Sequence, residues 1–140
     1  MEVVVSKQFP DKIIPLIKAA KSSIDIVVFD WRMYPESLGS TIFAFNQAIF
    51  QAARRGVKIR AIIHYDNIIP ELLRSGIQAK KIKNDRLMHV KMMIIDSTIA
   101  IVGSHNYTKN AFERNTELSI VLTGDEGIGD LERYFYNIWA

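Results

Sequence analysis

Apolar residues in this chain fall into short β-branched runs that alternate with stretches of helical spacing. Val3 to Val5 reads as a short strand. After Pro10, the positions Ile13, Ile14, Ile17 and Ala20 are spaced for a helix, with Pro15 expected in its first turn. Residues 24–29 form an apolar run ending at Asp30 and Trp31, a buried strand by composition. Ser37 and Ser40 offer caps for a helix that turns Ile42, Phe45, Ile49 and Ala52 inward and stops at Gly56. Residues 57–65 predict a second strand. Pro70 opens a short helix through Arg74 that Gly76 closes, and residues 77–82 predict an edge strand. Strands follow at 88–95, 99–102 and 116–122, the first two joined at Asp96, Ser97 and Thr98. Leu131, Phe135 and Ile138 are spaced for a closing helix. The order predicts an α/β fold with a mixed β-sheet flanked by helices on both faces.

With 140 residues and no linker, low-complexity segment or repeat, the chain reads as one domain, residues 1–140. Hydrophobic residues at 49% and charged residues at 24% are the balance of a folded globular protein. Eighteen basic against fifteen acidic residues give a net charge of +3, which permits a polyanionic partner without requiring one. The absence of cysteine removes disulfides, thiolate nucleophiles and Cys-ligated zinc from consideration. The N-terminal apolar run stops at three valines, too short for a signal-peptide core or a membrane span. A cytoplasmic location without stable membrane insertion is the default expectation, with a removed leader as the alternative.

The chemistry is concentrated between residues 89 and 117. His89 and Lys91 stand two apart, Asp96 follows, then Gly103, Ser104 and Asn106, then Asn115 and Glu117. If Ser97 and Thr98 form a two-residue hairpin turn, Asp96 pairs with Ile99. Lys91 then lies opposite Ser104 and His89 opposite Asn106. Strand side chains alternate with period two, so the four point to one face, which Asn115 and Glu117 extend if their register agrees. Cleaving a phosphodiester requires a nucleophile, charge stabilisation at the nonbridging oxygens and a proton for the leaving oxygen. His89 can attack phosphorus, Lys91 and Asn106 can bind those oxygens, and Ser104 can donate a further hydrogen bond. Glu117 can accept from the second ring nitrogen of His89 and support its developing charge.

This segment resembles the HKD motif of the phospholipase D superfamily: HxK, four residues, D, six residues, GSxN, matched at every fixed position. Six fixed residues at fixed spacing arise by chance on the order of once in a million chains of this length. The resemblance implies the phospholipase D-like fold and a covalent phosphohistidine on His89. Lys91, Ser104 and Asn106 then line the phosphate pocket and Glu117 orients the histidine. It also implies a structural role for Asp96, whose place at a turn start fits a backbone cap. Gly103 belongs to the same structural frame, and Asn115 either touches phosphate or supports its strand. No metal or other cofactor is called for.

In this superfamily the second catalytic group is the histidine of a second HKD motif, and this chain has one motif. His64 and His105 do not begin an HxK. A symmetric homodimer, with two copies of His89 meeting at the twofold axis, supplies the missing half. Small single-motif members are typically endonucleases, so the expected substrate is nucleic acid, cleaved without sequence preference. Lys80, Lys81, Lys83 and Arg86 form a basic run leading to His89; Lys83 and Arg86 are expected phosphate contacts, against the alternative of an ordinary solvated edge. Trp31, Tyr107 and Phe112 are either base-stacking or core residues. Two other functions use the same residues: a phospholipase D-like or cardiolipin-type lipid phosphodiesterase, and a noncatalytic nucleic-acid-binding module. A metal hydrolase built on His64 and Asp66 lacks a third ligand.

Overall fold

The strand β2 (Ser23–Val28) has no exposed residue after Ser23, and the sheet is built outward from it. The computed structural model describes residues 1–124 and 127–140. On one side of β2 lie β3 (Lys58–Ile63) and then β4 (Gln78–Lys80), both parallel to their neighbours. On the other side lie β5 (Met92–Ile95), β6 (Ile99–Gly103), β7 (Leu118–Thr123) and β1 (Glu2–Val5), every pair antiparallel. The order β1-β7-β6-β5-β2-β3-β4 is a mixed seven-stranded sheet. Helices cover both faces, as the alternation of elements predicts. The helices α1 (Gln8–Lys18), α2 (Thr41–Arg54), α3 (Ile69–Arg74) and α4 (Lys109–Glu113) share one core with one face, and α5 (Ile128–Trp139) packs on the other.

Local chemistry sets the helix boundaries. Ser40 caps α2 by accepting from the Phe43 N–H at 3.2 Å, and Gly56, at φ +97°, ends the helix in a conformation that costs a side-chain-bearing residue energy. Thr108 caps α4 in the same way by accepting from Ala111. The first helix differs from the expectation: it starts at Gln8, so Pro10 occupies the first turn and Pro15 lies inside. Pro10 costs nothing there because first-turn N–H groups have no intrahelical acceptor. Pro15 deprives only the carbonyl of Asp11, a residue on the helix's exposed side. Phe9, Ile13 and Ile17, four residues apart, bury the opposite side.

The β5–β6 hairpin also departs from the expected register. Asp96 and Ser97 both adopt left-handed φ, +53° and +58°, and the Thr98 N–H donates to the Ile95 carbonyl at 3.0 Å. Pairing resumes at Ile99, opposite Ile95, which leaves Thr98 as an extra residue. Every partner therefore shifts by one, and the Gly103 N–H, not Ser104, meets the Lys91 carbonyl. The predicted strand at 88–95 is shorter too: residues 81–91 run outside any ladder, and β5 begins at Met92.

One buried ion pair lies between the sheet and α5. Arg60 donates bidentately to Asp25, at 2.9 and 3.0 Å, and its guanidinium lies over the rings of Phe135, Tyr136 and Trp139. Removing one charge strands the other in the interior. Arg60→Met is expected to cost about 3–5 kcal/mol in urea unfolding, and Asp25→Leu combined with it is expected to recover most of that loss. Equal destabilisation in the single and double variants would show that the pair is not the determinant.

Candidate active site

The sheet topology gathers the motif before any side chain is considered. β5 is antiparallel to β2, so it begins where β2 ends. β6 then ends at that same edge, β7 begins there, and β3 ends there. Phe29 and Asp30, His64 and Tyr65, His89 to Lys91, Ser104 to Asn106, and Asn115 to Glu117 are thereby brought to one end of the sheet.

His89 is exposed, and its ring stands edge-on to Phe29 with centroids 4.8 Å apart. Lys91 is the buried cation of the group, 8% exposed, with Nζ 3.1 and 3.2 Å from the two ring nitrogens of His89 and 5.4 Å from the Phe29 centroid. Burial pulls the Lys91 ammonium below its ordinary range, and the negative charge of Glu117 opposes that shift. His64 stacks on Phe29 with centroids 5.1 Å apart, and its Nδ1 accepts from the Met88 N–H at 3.3 Å, anchoring the segment that leads into His89. Phe29 is thus the platform under His89, Lys91 and His64. Sequence reasoning passed over it as the end of an apolar run. The available signal was an aromatic at the last position of a buried strand, where it need not be fully covered.

Glu117 is engaged elsewhere than expected. Its Oε1 accepts from Ser104 Oγ at 2.5 Å and its Oε2 from Asn115 Nδ2 at 2.9 Å; among the described residues no hydrogen bond joins it to His89. The Leu118 N–H donates to Ser104 Oγ at 3.0 Å, so the serine is held at the start of β7. The cause is Gly103, where a Cβ would lie 2.3 Å from the Ser119 Cα. The end of β6 presses onto β7 and turns Ser104 toward Glu117. Asn106 accepts from the Asp30 N–H at 3.1 Å, which leaves its Nδ2 without a partner among the described residues, as a phosphate-binding donor requires.

The remaining expected residues separate clearly. The carboxylate of Asp96 lies at the opposite end of β5, where it accepts from the backbone of Lys21, Ser22 and Ser23. Burial opposes its charge, but these amides outweigh that and hold it below the usual carboxylate range. Trp31, Tyr107 and Phe112 are core residues, each under 3% exposed, so they offer no surface for stacking a base. Lys80 donates to the Trp139 carbonyl and lies over its ring, which removes it from the basic run. Lys83 and Arg86 are exposed on the loop before His89. Arg86 shares a cavity of about 290 Å³ with His89, Met88 and Tyr134, while Lys83 lies outside it.

His105, between Ser104 and Asn106, is 1% exposed. Its Nε2 donates to the Ser6 carbonyl at 2.8 Å, so in the neutral ring Nδ1 accepts from Ser119 Oγ at 2.7 Å. It stacks on Phe9 with centroids 4.3 Å apart. One imidazole therefore ties the β1–α1 turn, β7 and the catalytic loop together.

Comparison with known proteins agrees with the geometry. The family model described as "Cardiolipin synthase, PLD-like domain" matches residues 13–139. A probable cardiolipin synthase, YwiE, of Bacillus subtilis is 33% identical over 66% of this chain, and the human mitochondrial cardiolipin hydrolase is 27% identical over 91%. The chain spans 20% of the first relative's length and 50% of the second's. Among solved structures, the phospholipase D family member Nuc of Salmonella typhimurium superposes with a TM-score of 0.82 at 22% identity, covering 99% of this chain and 92% of that one. NucT of Helicobacter pylori gives 0.77 at 24% identity, covering 99% and 96%. These two likenesses establish the fold. Among the described residues no helix is long and apolar enough to cross a membrane.

The buried His105 makes stability depend on pH. Burial lowers its proton affinity more than the Ser6 carbonyl and the Glu117 charge raise it, so the folded chain binds the proton more weakly than the unfolded chain. The resulting stability is fully present above the unfolded histidine value of about 6.5 and is lost as pH falls from there through the lowered folded value. His105→Gln is expected to flatten the unfolding free energy across that window in urea titrations at several pH values. An unchanged slope would mean that the ring is not the responsible group.

Proposed function

The chain belongs to the phospholipase D superfamily, and on that premise we propose that it is a metal-independent phosphodiesterase, an endonuclease that hydrolyses DNA or RNA without sequence preference. The observation that carries this reading is an exposed His89 held on Phe29 beside the buried ammonium of Lys91, at the same end of the sheet as Ser104 and Asn106. A ring nitrogen of His89 attacks phosphorus, and the bond to the leaving oxygen breaks on the opposite side. Lys91, Ser104 and Asn106 stabilise the nonbridging oxygens as negative charge accumulates. The single hydroxyl proton of Ser104 is donated to Glu117 here, so Ser104 serves the phosphate by rotating that proton away from the carboxylate. Glu117 thus acts on the phosphate pocket, with its charge also balancing Lys91.

The leaving oxygen needs a proton, and water must later be deprotonated to release phosphate from His89. His105 is buried, and His64, with its Nδ1 accepting from Met88, keeps only Nε2 unengaged among the described residues. The second copy's His89 supplies both steps in a twofold dimer, donating the proton first and accepting one from water afterwards. Lys83 and Arg86, exposed on the loop before His89, serve neighbouring phosphates, and Asn115 supports Glu117. The nuclease reading draws on the single motif, which small endonuclease members of the family share.

The names of the matched family and relatives favour a second reading, hydrolysis of a cardiolipin-type phospholipid, in which the same residues attack a lipid phosphodiester. Plasmid cleavage and phospholipid-vesicle hydrolysis, both in EDTA, separate the two. The wild type is expected to cut plasmid and His89→Ala to lose that activity by about a thousandfold or more. The active species is expected to be a dimer in light scattering. Activity retained by His89→Ala, or by a monomer at working concentration, would overturn the mechanism.

A further inference from the structure

Beside the catalytic end of the sheet lies a cavity of about 830 Å³ that none of the catalytic steps uses. It opens beyond the carboxyl ends of the parallel strands β2 and β3, the end of an open α/β sheet on which ligands sit. Its apolar floor is Met33, backed by the core residues Trp31 and Ile68. Its rim carries Tyr65, 46% exposed, and the ion pairs Arg32–Asp30 and Arg74–Glu71. Two contacts join it to the site: the Tyr65 ring packs on Phe29 with centroids 4.8 Å apart, and the Asp30 N–H donates to Asn106.

We infer that this cavity receives an unpaired nucleobase of the strand whose scissile phosphate lies at His89. The inference rests on the nuclease reading above. The wall chemistry selects the occupant. An acyl chain seated here would take water from two ion pairs and the Asn67 amide while returning no hydrogen bond, a net cost. A nucleobase has two apolar faces for Tyr65 and the Met33 floor, and an edge of donors and acceptors for Asn67, Asp30 and Glu71. The planar guanidinium of Arg32 can stack as well as bind phosphate. A paired base inside a duplex cannot enter a concave site, so the cavity favours single-stranded segments.

The test compares kcat/KM on a single-stranded oligonucleotide with kcat/KM on the same backbone carrying abasic units, for wild type, Tyr65→Ala and Asn67→Trp. Damage to the catalytic groups lowers both rates together and leaves their ratio alone. The wild-type ratio is expected to be about tenfold or more, the worth of one stacked base, and to fall toward one in both variants. A wild-type ratio near one, or a ratio the two variants leave unchanged, overturns the assignment while sparing the nuclease reading. Wild type that cuts neither strand but hydrolyses phospholipid vesicles removes the nuclease reading itself. Vesicle hydrolysis abolished by Asn67→Trp would then give the cavity to a lipid chain.

Discussion

Four donors converge on the carboxylate of Asp96: the N–H groups of Lys21, Ser22 and Ser23 and the hydroxyl of Ser22. Everything at the far end of the sheet depends on this cluster. It fastens the β5–β6 turn to the start of β2, and the Asp96 N–H donating to the Ser23 carbonyl locks the same junction from the other side. With that end fixed, Ile24 pairs with Ile95 and Val27 with Met92, so the next residues along β5, toward His89, meet the end of β2 at Phe29. The anchor also explains the unusual turn. A residue that bonds three successive amides must bring its backbone close to them, and aspartate tolerates the left-handed φ that this demands better than most residues.

Much of the candidate site was legible because phosphoryl chemistry would need particular side chains at particular spacings, and the segment from His89 to Glu117 carries such a set. The sheet and its helices were legible from periodicity, since β-branched runs such as Ile24 to Val28 have few alternatives. The exact partners were not. A two-residue turn and a turn with one extra residue look alike in sequence, and the difference moved Gly103 into the place expected for Ser104. The role of Glu117 moved for the same reason, because the close approach of Gly103 to Ser119 is a tertiary contact. Phe29 and the Tyr65 cavity were out of reach, since both depend on how the segments after two parallel strands pack beside each other.

Charge is distributed sparingly at this end of the sheet. Among the described residues Lys91 is the one cation there that is buried, and its ammonium is sheltered by an aromatic ring and balanced at a distance by Glu117. Among the described residues the positive group is kept in place without a direct carboxylate partner, which would otherwise compete with a phosphate for it. The acidic group instead bonds Ser104 and Asn115, of which Asn115 keeps a second amide proton. Under the proposed function, such a site is organised for an anion before one arrives, which lowers the reorganisation that the reaction requires.

The motif pattern GSxN leaves its third position blank, and in this chain that blank is His105. Its ring joins three separate stretches of backbone, from Ser6 to Ser119, beneath the loop that carries Ser104 and Asn106. A pattern search treats the residue as interchangeable, yet here it works as a rivet whose loss would loosen both neighbours at once. Libraries that randomise the blank to probe specificity would be sampling the foundation of the site, and their survivors would report on folding as much as on substrate.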